Sequence, residues 1–204
     1  MKKPFDDYPE LLPLEPALDR ACGLLCGSVK SGGRILVCGN GGSAADSEHI
    51  AGELLKGFLL SRPIDGEMRE ALEQCGGARL ADGLQQGIDC VSLVSHTALM
   101  TAVINDNGAE YMFAQQVCAM GRKGDVLIGL TTSGNAVNVV NAAICARARG
   151  MSVIGFTGSG GGRLKPFCDA LLNVPSDVTY RVQEYHIPLY HYLCGALEEK
   201  IFGA

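Results

Sequence analysis

Two residues four apart, His49 and Glu53, are the first sign of chemistry in this chain. At about 100° per residue on a helix they share one face, roughly 6 Å apart along the axis. They follow a glycine loop, Gly39-Asn40-Gly41-Gly42-Ser43. Such a loop, set between a strand and a helix, turns backbone N–H groups and a positive helix end toward an anion. Gly41 and Gly42 let the backbone come close to a ligand, Asn40 tolerates the dihedrals of a tight turn, and Ser43 can donate a hydroxyl. The spacing is neither the dinucleotide fingerprint nor a P-loop, because no Lys-Ser/Thr pair follows the glycines. A phosphate on a small molecule fits it; so does a plain strand-to-helix turn with no ligand. Beside a phosphate loop, the His49/Glu53 pair offers either two metal ligands or an acid/base pair, whereas out of context it is a solvated contact.

The elements that must position these residues alternate in type. Apolar runs at 34–38, 89–94, 125–131, 152–157 and 169–174 read as strands. Helical periodicity covers 11–31, from about 44 to about 60, 97–104 (capped by Ser95), 110–120, 136–149 and 181–202. Gly32-Gly33 closes the first helix. Alternation of this kind predicts an α/β three-layer sandwich, a five-stranded parallel sheet flanked by helices and preceded by an N-terminal helix, in the flavodoxin-like doubly wound manner. Ligands on such sheets bind beyond the carboxyl ends of the strands. The loop 39–43 lies at one such end. Thr131-Thr132-Ser133-Gly134-Asn135 lies at another and is a second phosphate-type turn. The last helix carries Gln183, Glu184, His186 and His191. Residues 1–10 read as a loose arm. The glycine-punctuated stretch 64–88, with Met68, Leu72 and Cys75 on one face of a short helix, reads as an inserted or extended loop.

Composition narrows the function classes. A chain of 204 residues with 47% hydrophobic residues builds one domain with a sizeable core. Its net charge of −5 and lack of a Lys/Arg cluster exclude a nucleic-acid surface. No apolar run approaches the length of a membrane span, about 18 residues. The opening MKKPFDDYPE is not a signal peptide. Nine cysteines without a C-x-x-C pair read as small apolar residues kept reduced in a cytoplasm, Cys38 beside the loop included.

Taken together, CGNGGSAAD-x-x-H-x-x-x-E at 38–53, Asn105-Asp106 with Gly108, GDVL at 124–127, TSGN at 132–135 and RVQE-x-H with a later His at 181–191 resemble the phosphoheptose isomerases. These belong to the sugar-isomerase (SIS) domain superfamily. The resemblance covers about residues 11–203 and implies a single SIS domain over 1–204. It implies isomerisation of sedoheptulose 7-phosphate to D-glycero-D-manno-heptose 7-phosphate through an enediol, with Glu53 as base and His191 as acid. It implies His49, Glu53, Gln183 and His191 as ligands of one zinc ion. Asn40, Gly41, Gly42, Ser43, Glu53, Asn105, Asp106, Thr131, Thr132, Ser133 and Gln183 fall at substrate positions. A cytoplasmic homotetramer with sites at subunit interfaces is implied as well. Zinc binding would weaken Glu53 as a base, so its two implied roles compete.

Relatives that keep the fold without the enzyme bind a replication initiator. In those the glutamate and final histidine are altered, whereas Glu53 and His191 are both present here. Three departures bear on the substrate: Ala136 replaces a usual Ser, Tyr180 a usual Asp, and 64–88 is longer than expected by about twenty residues. An isomerase of another sugar phosphate, or a non-catalytic SIS module, is the alternative.

Overall fold

The computed structural model describes residues 1–203. Five parallel strands form one sheet: β1 Ile35–Cys38, β2 Cys90–Ser92, β3 Val126–Leu130, β4 Ser152–Thr157 and β5 Ala170–Asn173. Their order is β2-β1-β3-β4-β5. The chain winds outward from β1 to β2, then crosses back to β3 and continues the other way. The crevice between β1 and β3, where the winding reverses, is therefore the place where such sheets bind ligands. Register along it is continuous, with Val37 beside Ile128 and Ile128 beside Ile154.

Alternation along β1 assigns the two faces. Ile35 and Val37 point into a core that includes Leu18 and Leu25 of α1 (Glu15–Lys30), Ile50 and Leu54 of α2 (Gly42–Leu55), and Leu189 and Leu193 of α8 (Thr179–Phe202). Leu36 and Cys38 point the other way, onto Phe113 and Val117 of α6 (Met112–Met120) and Val139 and Ala143 of α7 (Val137–Ala148). Strands buried on both faces carry nearly unbroken apolar runs, as β1 and β3 do.

The remaining helices are α3 Gly66–Gln74, α4 Ala78–Gly83 and α5 Thr97–Asp106. The expected stretch 64–88 is thus two short helices, packed on each other, and α3 buries none of its residues. Three expectations are corrected. Residues 1–10 are no loose arm: two 3-10 turns bury Pro4, Phe5 and Leu11, and Lys3 pairs with Glu15 and Asp19. The helix after the glycine loop ends at Leu55, not near residue 60, because the amides of Phe58, Leu59 and Leu60 turn to the carboxylate of Glu198. Ser95 does not cap α5; its hydroxyl donates to Glu48, and the cap position is His96, whose ring bonds Gln116.

No helix among the described residues is long and apolar enough to cross a membrane.

Candidate active site

The two glycine- and hydroxyl-rich loops meet in one open pocket of about 320 Å³ at the β1/β3 crevice. Asn40, Gly41, Gly42 and Ser43 line one side, Thr131, Thr132, Ser133 and Ala136 the other, and Thr179 and Gln183 of α8 close it. Gly41 adopts φ 58°, a left-handed backbone that lets α2 begin abruptly behind β1. Gly134, at φ 70°, is pressed against Gly161; a Cβ there would fall on the Gly161 carbonyl. Asn40 and Asn138 exchange two amide hydrogen bonds of 2.9 Å, tying the first loop to the start of α7. The N-termini of α2 and α7 thus both face the pocket, and the positive ends of their dipoles suit an anion, although Ser43, Ala44 and Ala45 N–H already donate to the carbonyls of Asn40 and Gly41.

Helices α2 and α8 run side by side in the same direction. Gly42 sits against the side chain of Gln183, and seven residues on, His49 sits against Tyr190 and His191. A second cluster therefore lies about 10 Å along this seam from the pocket. There His49 Nε2 is 3.0 Å from Glu53 Oε1, and Lys56 Nζ is 3.7 Å from Glu53 Oε2. The His191 ring lies 5.0 Å from that of His49 and 5.8 Å from that of Phe58. The Glu53 side chain is only 16% exposed against 46% for His49, so the carboxylate is sheltered without being sealed. Burial, reinforced by neighbouring His49 and opposed by Glu53, holds the His191 imidazole below its ordinary pKa. It is neutral at neutral pH. A sheltered carboxylate and a neutral imidazole can move a carbon-bound proton and exchange hydroxyl protons.

Of the residues singled out from the sequence, the loops and Gln183 come together in the pocket, and His49, Glu53 and His191 come together along the seam. Asn105 and Asp106 join neither group within one chain. They end α5, hydrogen-bonded to each other at 2.8 Å, and Asp106 lines a separate opening with Asn107, Tyr111 and Gln115. Glu184 is a solvated acid paired with Arg181. His186 is fully buried, its Nε2 3.3 Å from the carbonyl of Thr157. Thr179, Asn138, Asp46 and Tyr190 were not anticipated. For Asp46 a signal existed, three residues before His49 on the same helix face.

Zinc takes four ligands at about 2 Å. The implied set of His49, Glu53, Gln183 and His191 does not close within one chain. Gln183 lies beside Gly42, about two turns along α8 from His191. Among the described residues no three His, Cys, Asp or Glu side chains are gathered around a common point.

The doubly wound sheet with hydroxyl- and glycine-lined strand ends defines a sugar-isomerase (SIS) domain, and the model of that domain matches residues 13–158. The chain is 43% identical over 176 residues to a phosphoheptose isomerase of Burkholderia pseudomallei, covering 86% of this chain and 78% of that one. It is 41% identical to one of Rhodospirillum rubrum, with 91% and 87% covered. The solved phosphoheptose isomerase of Neisseria gonorrhoeae superposes with a TM-score of 0.77 at 35% identity, over 95% of this chain and 91% of that one. The chain belongs to the phosphoheptose isomerase family.

Proposed function

We propose that this sugar-phosphate isomerase interconverts sedoheptulose 7-phosphate and D-glycero-D-manno-heptose 7-phosphate. The observation that carries the proposal is the separation, about 10 Å, between the anion pocket and the Glu53/His191 cluster. With C–C bonds of about 1.5 Å, a seven-carbon chain phosphorylated at one end can span that seam, whereas a triose cannot. Its phosphate would take the amides of the 39–43 loop and the hydroxyls of Ser43, Thr131, Thr132 and Ser133. Glu53 would remove a proton from C1 of the ketose to give the enediol and return it at C2. His191 would supply the proton that O2 gains and accept the one that O1 loses, so that atoms and charge balance over the cycle.

Zinc stands apart from these steps. His49, Glu53 and His191 have the donor chemistry, but binding would require them to turn toward a common point, and metal analysis of the purified protein decides it. We further propose a homotetramer with sites completed at subunit boundaries. Asn105 and Asp106 are the residues a neighbour would deliver, and exposed Leu99, Ile104 and Tyr111 around them supply apolar surface for the contact. Unpaired cysteines throughout the chain suit a reducing cytoplasm.

Ala136, without a hydroxyl, lines the pocket, and Tyr180, 64% exposed, stands beside Thr179. They favour one second reading, a different ketose phosphate. A panel of five-, six- and seven-carbon ketose phosphates, followed by NMR for the aldose, separates the two. Turnover highest on the heptulose supports the proposal, and turnover confined to a shorter sugar overturns it.

A further inference from the structure

Asn40 is the only residue with a side chain between Cys38 and Ser43, so it is the one point at which the glycine run can be gripped from outside. The grip comes from Asn138, in the first turn of α7 across the β1/β3 crevice. Asn40 Nδ2 donates to Asn138 Oδ1 and Asn138 Nδ2 donates back to Asn40 Oδ1, each at 2.9 Å. Asn138 Oδ1 also accepts from the backbone N–H of Val139 at 3.0 Å. An N–H can only donate, so this third bond decides which end of the Asn138 amide carries the oxygen, and the reciprocal pair then orients Asn40. The Asn40 carbonyl in turn accepts from Ser43 N–H, so the residue is tied at both its side chain and its backbone.

A loop in which Gly39, Gly41 and Gly42 surround one Asn has wide backbone freedom, and ordering it at the moment of binding would subtract from affinity. We propose that Asn138 is a positioning residue for the phosphate subsite: through the amide pair it holds the 39–43 loop in its anion-facing shape and sets its distance from the start of α7. Asn138 itself faces a separate opening with Ala109, Glu110 and Val137, whereas Asn40 lines the pocket, so Asn138 acts through Asn40 and not on the ligand. The Asn40 side chain, at a substrate position by resemblance, thus serves the shape of the loop.

The inference rests on the two loops being the phosphate subsite, and its test keeps the two claims apart. Wild type, Asn40→Ala, Asn138→Ala and the double variant are titrated with inorganic phosphate by calorimetry and assayed on sedoheptulose 7-phosphate. Loss of two neutral hydrogen bonds should weaken phosphate binding about tenfold in Asn138→Ala and raise KM by about the same factor. kcat should stay within about twofold, since the Glu53/His191 cluster lies elsewhere on the seam. Each single variant already breaks the pair, so the double variant should bind within about twofold of the weaker single. A residue that only stabilised the fold would lower Tm and leave KM and phosphate affinity where they were. If Asn138→Ala is poorly folded, Asn138→Ser, polar but too short to exchange both bonds, takes its place. Phosphate affinity and KM within about twofold of wild type in the folded variant overturn the inference, as do single effects that multiply in the double variant. A wild type that binds no phosphate overturns the phosphate subsite itself, and this inference with it.

Discussion

Glu198 offers the sharpest test of how the site is built. It lies on α8 with its side chain fully buried and gathers four hydrogen bonds. Three come from the amides of Phe58, Leu59 and Leu60, at 2.8, 2.7 and 3.1 Å, and one from Arg62 Nε at 2.6 Å. Arg62, also fully buried, donates onward to the carbonyls of Leu54 and Glu53. The carboxylate thus ends α2 just beyond Glu53 and ties that end to α8. Replacing it with Gln keeps the shape but turns an N–H₂ group toward donors and leaves the guanidinium without its counter-charge. Breaking one partner of a buried pair costs about 3–5 kcal/mol. In a chain of this length each kcal/mol lowers Tm by roughly 2–4 °C, so a fall of roughly 6–20 °C is expected by calorimetry at constant protein concentration. Replacing both partners by apolar residues of similar volume should cost markedly less than Glu198→Gln alone. A Glu198→Gln protein within about 1 kcal/mol of wild type would refute the claim that this pair anchors the end of α2.

His186 is held neutral by burial, its pKa pushed from 6.5 down to about 4 despite the bond to Thr157. A depressed base is protonated first in the unfolded chain, so stability should fall as pH drops from about 6.5 to about 4, by about 3 kcal/mol in total, then level off. Denaturant midpoints across that range should show the slope in the wild type and lose most of it in His186→Phe. Gly134→Ala, strained at φ 70° and driven into Gly161, should weaken inorganic phosphate binding at least tenfold and destabilise by more than about 1 kcal/mol; calorimetry reads both. With iodoacetamide and peptide mapping, exposed Cys75 and Cys118 should react first, while Cys38, its thiol pushed up to about 12 by burial, should stay unmodified in the native protein.

The sheet and both phosphate-type loops were legible because each rests on local signals. Doubly buried strands leave continuous apolar runs, and the turns at 39–43 and 131–135 need glycine and hydroxyl residues in sequence. The His49/Glu53 face was legible from helical spacing alone. What sequence could not reveal is pairing across long separations. Glu198 sits in the run Glu198-Glu199-Lys200 and reads as solvated, yet it is buried against Arg62, 136 residues away. Tyr190 reads as one more apolar residue of α8, and its hydroxyl has meaning only once α2 lies alongside. The parallel register of α2 and α8 also explains why Gln183 and His191 part company. One meets the start of α2, the other its middle.

The central claim is that Glu53 moves the proton of a heptose phosphate whose phosphate is held at the 39–43 and 131–135 loops. The direct measurement compares wild type and Glu53→Gln on sedoheptulose 7-phosphate, following the aldose product by NMR and binding of the ketose by calorimetry. A general base contributes about 10²–10⁴-fold to rate. The expected result is aldose from the wild type, turnover lowered by that factor in Glu53→Gln, and ketose affinity within a few-fold in both. No aldose from the wild type, or Glu53→Gln turnover within a few-fold of it, would contradict the account.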